Sequence, residues 1–234
     1  MDPLTAMAAS GMRSRMQSLD LLANNIANAS TGGYKADREF YSVYAEAGND
    51  ATMPVIQKPY TDFSQGVLET TGNPLDLAIS GRGFFTVSGP NGPLFTRNGT
   101  FRVDATGKLV SAEGYPVLGG SGAIKVPGKL PIEVSSDGTV TQDGNVIGQL
   151  QIADFTSGAS FTKQGSNYFR VAGGAVKPSA GGSIEQGKIE TSNSGSAESA
   201  VRLVGIMRQF EMLQKAASMG SDMEKQAIEQ LAKV

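Results

Sequence analysis

The sequence contains no histidine, no cysteine and no tryptophan, and each absence removes a class of function. Without cysteine there is no disulfide, no thiolate nucleophile, no iron–sulfur cluster and no zinc finger. Without histidine there is no Ser-His triad, no imidazole general base and no imidazole ligand for a metal. Catalysis is left to carboxylates, Lys, Ser, Thr and Tyr. An excess of either charge is also missing: 20 Lys and Arg stand against 22 Asp and Glu, for a net charge of −2. That balance gives no electrostatic reason to bind nucleic acid or an anionic membrane. No apolar run approaches the ~20 residues that a membrane-spanning helix needs. The start, Met1-Asp2-Pro3-Leu4, lacks a basic stretch followed by an apolar block, so no cleaved secretory signal is expected. Catalytic residues, cofactors, metals and small-molecule substrates are accordingly expected to be none.

What the chain does contain is length and glycine. Its 234 residues suffice for one or two domains with a proper core. Glycine accounts for 30 of them, nearly twice the usual share of roughly 7 %, which suits tight turns and closely packed backbones. The ends and the middle differ in period. From Thr5 to about Ala29 the positions Thr5, Ala9, Met12, Met16, Leu19, Ala23 and Ile26 recur in alternating steps of three and four, the narrow seam of a coiled-coil-like helix. Pro3 suits its first turn, with Asp2 as N-cap, and Ser30-Thr31-Gly32-Gly33 is a stop signal. From about Ser194 a second seam runs through Leu203, Ile206, Phe210, Leu213, Ala217 and Gly220 to Leu231. Ser194 or Ser196 can cap it, with Glu198 in its first turn.

Between about Gly66 and Ile189 the pattern switches to alternation broken by turn residues every 8–12 positions. Phe84 to Val87 and Leu94 to Thr96 flank a Gly-Pro-Asn-Gly-Pro run and read as a hairpin, and Phe101–Val103 with Leu109-Val110 reads as a second. Ile132–Val134, Val140 and Val146-Ile147, separated by Asp137-Gly138 and Asp143-Gly144, read as a meander. Phe84, Phe85, Phe95 and Phe101 are expected in the core. Residues 40–65 show neither period and read as an extended connector. Two other signals are weak. Ser160 and Lys163 have the Ser-x-x-Lys spacing of penicillin-binding hydrolases, but Ser-Asp-Asn and Lys-Thr-Gly are missing. The Asp-Gly pairs lack the ligand spacing of an EF-hand.

Three blocks then resemble the bacterial flagellar axial proteins, the rod and hook family. The first runs Leu22-Ala23-Asn24-Asn25-Ile26-Ala27-Asn28-Ala29-Ser30-Thr31-Gly32-Gly33-Tyr34-Lys35, departing from the family only by a second Gly where Thr is usual. The second runs from Leu75 through Phe84-Phe85 and Phe95-Thr96-Arg97-Asn98-Gly99-Thr100-Phe101 to Gly119, and the third is Glu190-Thr191-Ser192-Asn193, with Ser194 in place of the common apolar residue. Arg208-Gln209-Phe210-Glu211-Met212 looks most like a proximal-rod member, with the distal rod as alternative.

The resemblance implies an α+β chain: an N-terminal axial helix over 1–33, an extended linker over 34–65, a hairpin-rich outer β-domain over 66–189 and a C-terminal axial helix over 190–234. The helices would pack together in a helical assembly. Its partners would be copies of itself, other rod proteins and the flagellar type III export apparatus, and its location the basal body, in a rod spanning the periplasm. The expected subunit-interface residues are Met12, Met16, Leu19, Asn24, Asn25, Ile26, Asn28, Gly32, Tyr34, Leu203, Ile206, Phe210, Leu213 and Ala217. For the asparagines two readings stand side by side: amides that bond a neighbouring subunit, or the fraying end of a helix. Gly32 and Gly33 suit both a C-cap and close backbone passage.

Overall fold

The computed structural model describes residues 3–45, 52–128, 130–155, 159–165, 167–173, 176–178 and 181–231. A helix stands near each end of the chain, and antiparallel strands fill the middle. The chain divides into two compact units, one formed by residues 1–27, 36–62 and 194–234, the other by 28–35 and 63–193.

In the first unit α1 (Pro3–Ala27) begins on its proline; the expected cap Asp2 lies outside the described residues. The helix stops two residues before Ala29, in a turn where the Thr31 amide donates to the Asn28 carbonyl at 3.0 Å. α2 (Ser196–Leu231) carries Glu198 in its first turn, and the Ser199 amide donates to the Gly195 carbonyl at 2.9 Å. The two helices pack side by side. Gly11 faces Leu213 and Leu22 lies by Ile206, so they run antiparallel.

Between them β1 (Asp37–Ala45) and β2 (Thr52–Thr61) form an antiparallel hairpin, where an extended connector was expected. The sequence hides it because a two-stranded ribbon is all edge. Such a ribbon tolerates Pro54 and Pro59 within a strand and needs no apolar alternation of its own. Its open end is tied by the Thr61 hydroxyl donating to the Asp37 carboxylate at 2.8 Å and by an Arg38–Asp62 ion pair at 2.6 Å.

The second unit begins with β3 (Leu68–Thr70), β4 (Leu77–Gly81), β5 (Phe84–Gly89), β6 (Gly92–Thr96), β7 (Phe101–Val103) and β8 (Leu109–Ser111). It continues with β9 (Leu118–Gly119), β10 (Gly122–Ala123), β11 (Ile132–Val134), β12 (Thr139–Gln142), β13 (Asn145–Gln149) and β14 (Ile152–Phe155). Then follow β15 (Ser160–Gln164), β16 (Tyr168–Ala172), β17 (Val176–Pro178), β18 (Gly182–Gln186) and β19 (Lys188–Glu190). The hairpins β5–β6 and β7–β8 and the meander β11–β12–β13 form where the turn chemistry put them. A six-stranded sheet runs β15-β16-β6-β5-β14-β17. The strands least visible in the sequence return from far away: β18 pairs with β4 and β19 with β3.

Strand alternation divides the side chains between two cores. Phe85, Val87, Leu94 and Tyr168 join the larger cluster with Leu77, Ile79, Phe101 and Val140. Their neighbours Phe84, Phe95 and Phe169 point to the other side and meet Phe63, Phe155 and Phe161. Edge-to-face contacts dominate this phenyl cluster, such as Phe95 on Phe155 at 4.8 Å and 85°, the arrangement that ring quadrupoles favour.

Candidate functional site

The signature segment Thr31–Lys35 belongs to the β-rich unit, and glycine explains how it gets there. Gly33 has φ +66°, and a Cβ placed on it would lie 2.2 Å from the Asn98 amide nitrogen. No other residue fits that backbone. Gly32 is less constrained, with a Cβ site 3.2 Å from Asn98 Oδ1, so Gly33 is the glycine that the fold requires. Held this close, the Gly33 amide donates to the Glu190 carbonyl at 2.7 Å, and the Tyr34 carbonyl accepts from the Asn193 amide at 3.3 Å. Tyr34 is buried. Lys163 Nζ sits 4.6 Å from its ring centre and donates to the Lys35 carbonyl at 2.7 Å.

Lys35 leads into a buried charge cluster. Its Nζ lies 2.5 Å from Glu190 Oε1, and both side chains are 0 % exposed. The same nitrogen donates to the Ser64 carbonyl at 2.6 Å. Glu190 Oε1 also accepts the Gly66 amide at 2.9 Å, and Oε2 takes Arg97 Nη1 at 3.3 Å. Arg97 Nη1 also donates to the Ile79 carbonyl at 3.3 Å and Nη2 to the Gly81 carbonyl at 2.7 Å, while its buried Nε has no hydrogen-bond partner among the described residues. Its guanidinium stands 5.3 Å from the Phe84 ring centre. Burial lowers the Arg97 pKa, and the Glu190 carboxylate opposes the shift; a guanidinium stays charged nonetheless. One carboxylate thus holds two cations away from water. It joins the point where the chain enters this unit to the point where it leaves. Glu190, Arg97 and Lys35 all stand in the blocks that carry the family resemblance, but their sequence separation hides their meeting.

The helix unit places the expected interface residues on distinct faces. Asn25 is buried, and its amide brackets one backbone unit: Nδ2 donates to the Asp37 carbonyl at 2.8 Å while Oδ1 accepts the Asp37 amide at 3.0 Å. Asn28 Oδ1 accepts from the Thr31 hydroxyl at 3.3 Å. Asn24 is exposed. Asn25 and Asn28 thus bond within their own chain, and Tyr34 is buried in it. On α2, Ile206 is buried and Leu203, Phe210, Leu213 and Ala217 are half-buried, so this seam lies where the periodicity put it. On α1 the packed face differs from the expected seam. Ala8, Ser14, Ser18, Leu22 and Asn25 are buried, with Gly11 against Leu213. Met16 is 57 % exposed, Ala9 and Ala23 are exposed, and Met12, Leu19 and Ile26 are half-buried. Small residues win the inner face because they let the helix axes approach, whereas the larger seam side chains would hold them apart.

The Ser160–Lys163 pair is not assembled for catalysis. Both lie on β15, where residues three apart point to opposite faces, and the lysine is engaged with Lys35 and Tyr34. Among the described residues no group of three or more Asp and Glu side chains is placed to hold a metal, and no helix is long and apolar enough to cross a membrane.

A hairpin-built β-unit, two terminal helices and a buried structural clamp define a scaffold subunit. Residues 6–35 match the model of the flagella basal body rod protein, and residues 78–147 match that of the flagellar hook protein FlgE/F/G D1 domain. The chain is 34% identical over 228 residues to the flagellar basal-body rod protein FlgF of Caulobacter vibrioides, covering 92% of each chain. It is 33% identical over 237 residues to the flagellar basal-body rod protein FlgG of Bacillus subtilis, covering 86% of this chain and 89% of that protein. A FlgF from Mesorhizobium japonicum is 33% identical over 200 residues, covering 82% and 83%. The chain belongs to the flagellar basal-body rod protein family. That family is structural, and the chain is not an enzyme.

Proposed function

We propose that this chain is a subunit of the proximal rod of the flagellar basal body and joins other rod subunits through its terminal helices. In that position it would form part of the drive shaft that carries motor torque across the periplasm, after delivery by the flagellar type III export apparatus. One observation carries the assembly reading: Ala9, Met16 and Ala23 of the α1 seam are exposed, Met16 by 57 %. Apolar side chains at this spacing gain about 1.5–3 kcal/mol each when fully buried, so the seam favours a partner outside its own chain. The run Arg208-Gln209-Phe210-Glu211-Met212 favours the proximal rod. The similarity to FlgG proteins keeps the distal rod as the second reading.

The test is a deletion of residues 1–27, which leaves the signature segment with the unit to which it belongs. The shortened chain should keep the β-sheet circular dichroism of the parent and fail to enter basal bodies. Restored motility from the shortened chain would remove the reading. Imaging basal bodies with the subunit labelled separates proximal from distal rod.

A further inference from the structure

On the β-rich unit a cleft of about 500 Å³ opens between the β5–β6 turn, the loop after β8 and the β15–β16 hairpin, a size within the usual range of small-molecule sites. Its lining carries both charges. Glu113 comes from the loop after β8, and Arg170 from β16, two residues beyond Tyr168 and so on the same face of the sheet. Among the described residues no ion pair joins the two, and the Arg170 guanidinium has no hydrogen-bond partner although its Nε is buried. Asn167 lines the same cleft and is 4 % exposed. Its backbone carbonyl accepts from the Thr96 hydroxyl at 2.8 Å, but its side-chain amide has no partner among the described residues. Buried polar groups are normally paired, so two such groups on one cleft mark where the polar atoms of a ligand belong.

We propose that this cleft binds an acidic sugar, a pyranose ring carrying a carboxylate. The planar fork of Arg170 matches a carboxylate, which it can take through two parallel N–H donors. Hydroxyls both donate and accept, and the cleft offers partners of each kind. Glu113 Oε2 holds the Tyr168 hydroxyl and, at 3.3 Å, that of Ser111, which leaves Oε1 as an acceptor without a partner among the described residues. The amides of Asn167 and of exposed Gln164 supply donors. Half-buried Tyr115 stands edge to face with Tyr168, ring centres 5.5 Å apart at 82°, and so gives a fixed apolar surface for the C–H groups of the ring. A multiply charged anion suits the site less, because the Glu113 carboxylate repels it. A peptide also suits it less, since Pro90 and Leu94 are the only apolar aliphatic side chains in the lining. Every group used here lies in the β-rich unit, so binding does not depend on the terminal helices.

The experiment uses the full-length chain and ligand-observed saturation-transfer NMR, which reads millimolar binding. D-glucuronate should bind about tenfold more tightly than D-glucose, the gain of a charge-assisted hydrogen-bond pair. Arg170→Gln should bring glucuronate down to the level of glucose and leave glucose unchanged. Gln164→Ala, at an exposed position, should weaken both sugars by about two- to tenfold, the worth of one ordinary hydrogen bond. Circular dichroism checks the fold of each variant, and Q164A carries the test should R170Q not fold. Acetate binding as tightly as glucuronate would mean a simple anion site, and N-acetylglutamate binding more tightly would mean a site for an acidic peptide; either overturns the proposal. So does an absence of saturation transfer to glucuronate at about 20 mM, well above a millimolar Kd, or an R170Q chain that binds it as the parent does.

Discussion

Replacing Glu190 by Gln tests whether the buried charge cluster holds the β-rich unit together. The change is nearly isosteric and keeps one amide oxygen for the Gly66 N–H, but it removes the carboxylate that Lys35 and Arg97 share, at 2.5 and 3.3 Å. Both cations remain in a space where the side chains of Lys35 and Glu190 are 0 % exposed and that of Arg97 is 5 % exposed. Leaving buried charge unpaired costs about 3–5 kcal/mol. For a unit of this size, at about 2–4 °C per kcal/mol, the melting temperature should fall by roughly 6–20 °C. Lys35→Met is the informative comparison. It leaves an Arg97–Glu190 pair that is balanced in charge, with the Gly66 amide still bonded to the carboxylate, so the loss is one charged hydrogen-bond network member, about 1–3 kcal/mol. Thermal or urea unfolding followed by circular dichroism measures both. E190Q within about 1 kcal/mol of the parent, or K35M as costly as E190Q, would refute the account of one carboxylate neutralising two cations.

Two further outcomes follow from the same geometry. Gly33→Ala meets both φ +66° and a 2.2 Å approach to the Asn98 nitrogen; it should cost about 1–3 kcal/mol for the backbone strain alone, whereas Gly32→Ala should cost less, and paired melting curves decide it. The Tyr168 hydroxyl is pushed well above the ordinary phenol range, first by burial and then by its hydrogen bond to Glu113. Because the folded pKa is raised, the protein's full stability is present below about pH 10, the ordinary value. It falls as pH rises further, where the unfolded chain ionises Tyr168 and the folded chain does not. Tyr168→Phe should leave the tyrosinate absorbance that the folded protein gains near that pH unchanged and should remove this part of the alkaline loss of stability.

The sequence by itself determined the plan of this protein. Period and turn chemistry are local properties, so the helices, the β5–β6 and β7–β8 hairpins, the β11–β13 meander and the buried phenylalanines could be read along the chain. The absence of His and Cys likewise excluded whole chemistries before any contact was known. Tertiary structure decided what is non-local. It showed that residues 37–61 are a ribbon, because pairing and not alternation makes it. It showed that Asn25 binds the backbone of Asp37. It showed that the face of α1 against α2 is the one with Gly11, Ser14 and Ser18, since close approach of two helices rewards small side chains over large ones. And it brought Lys35, Arg97 and Glu190 together across 155 residues of chain, because a buried carboxylate is stable only where cations and N–H donors meet it, and here they come from both ends of the β-rich unit.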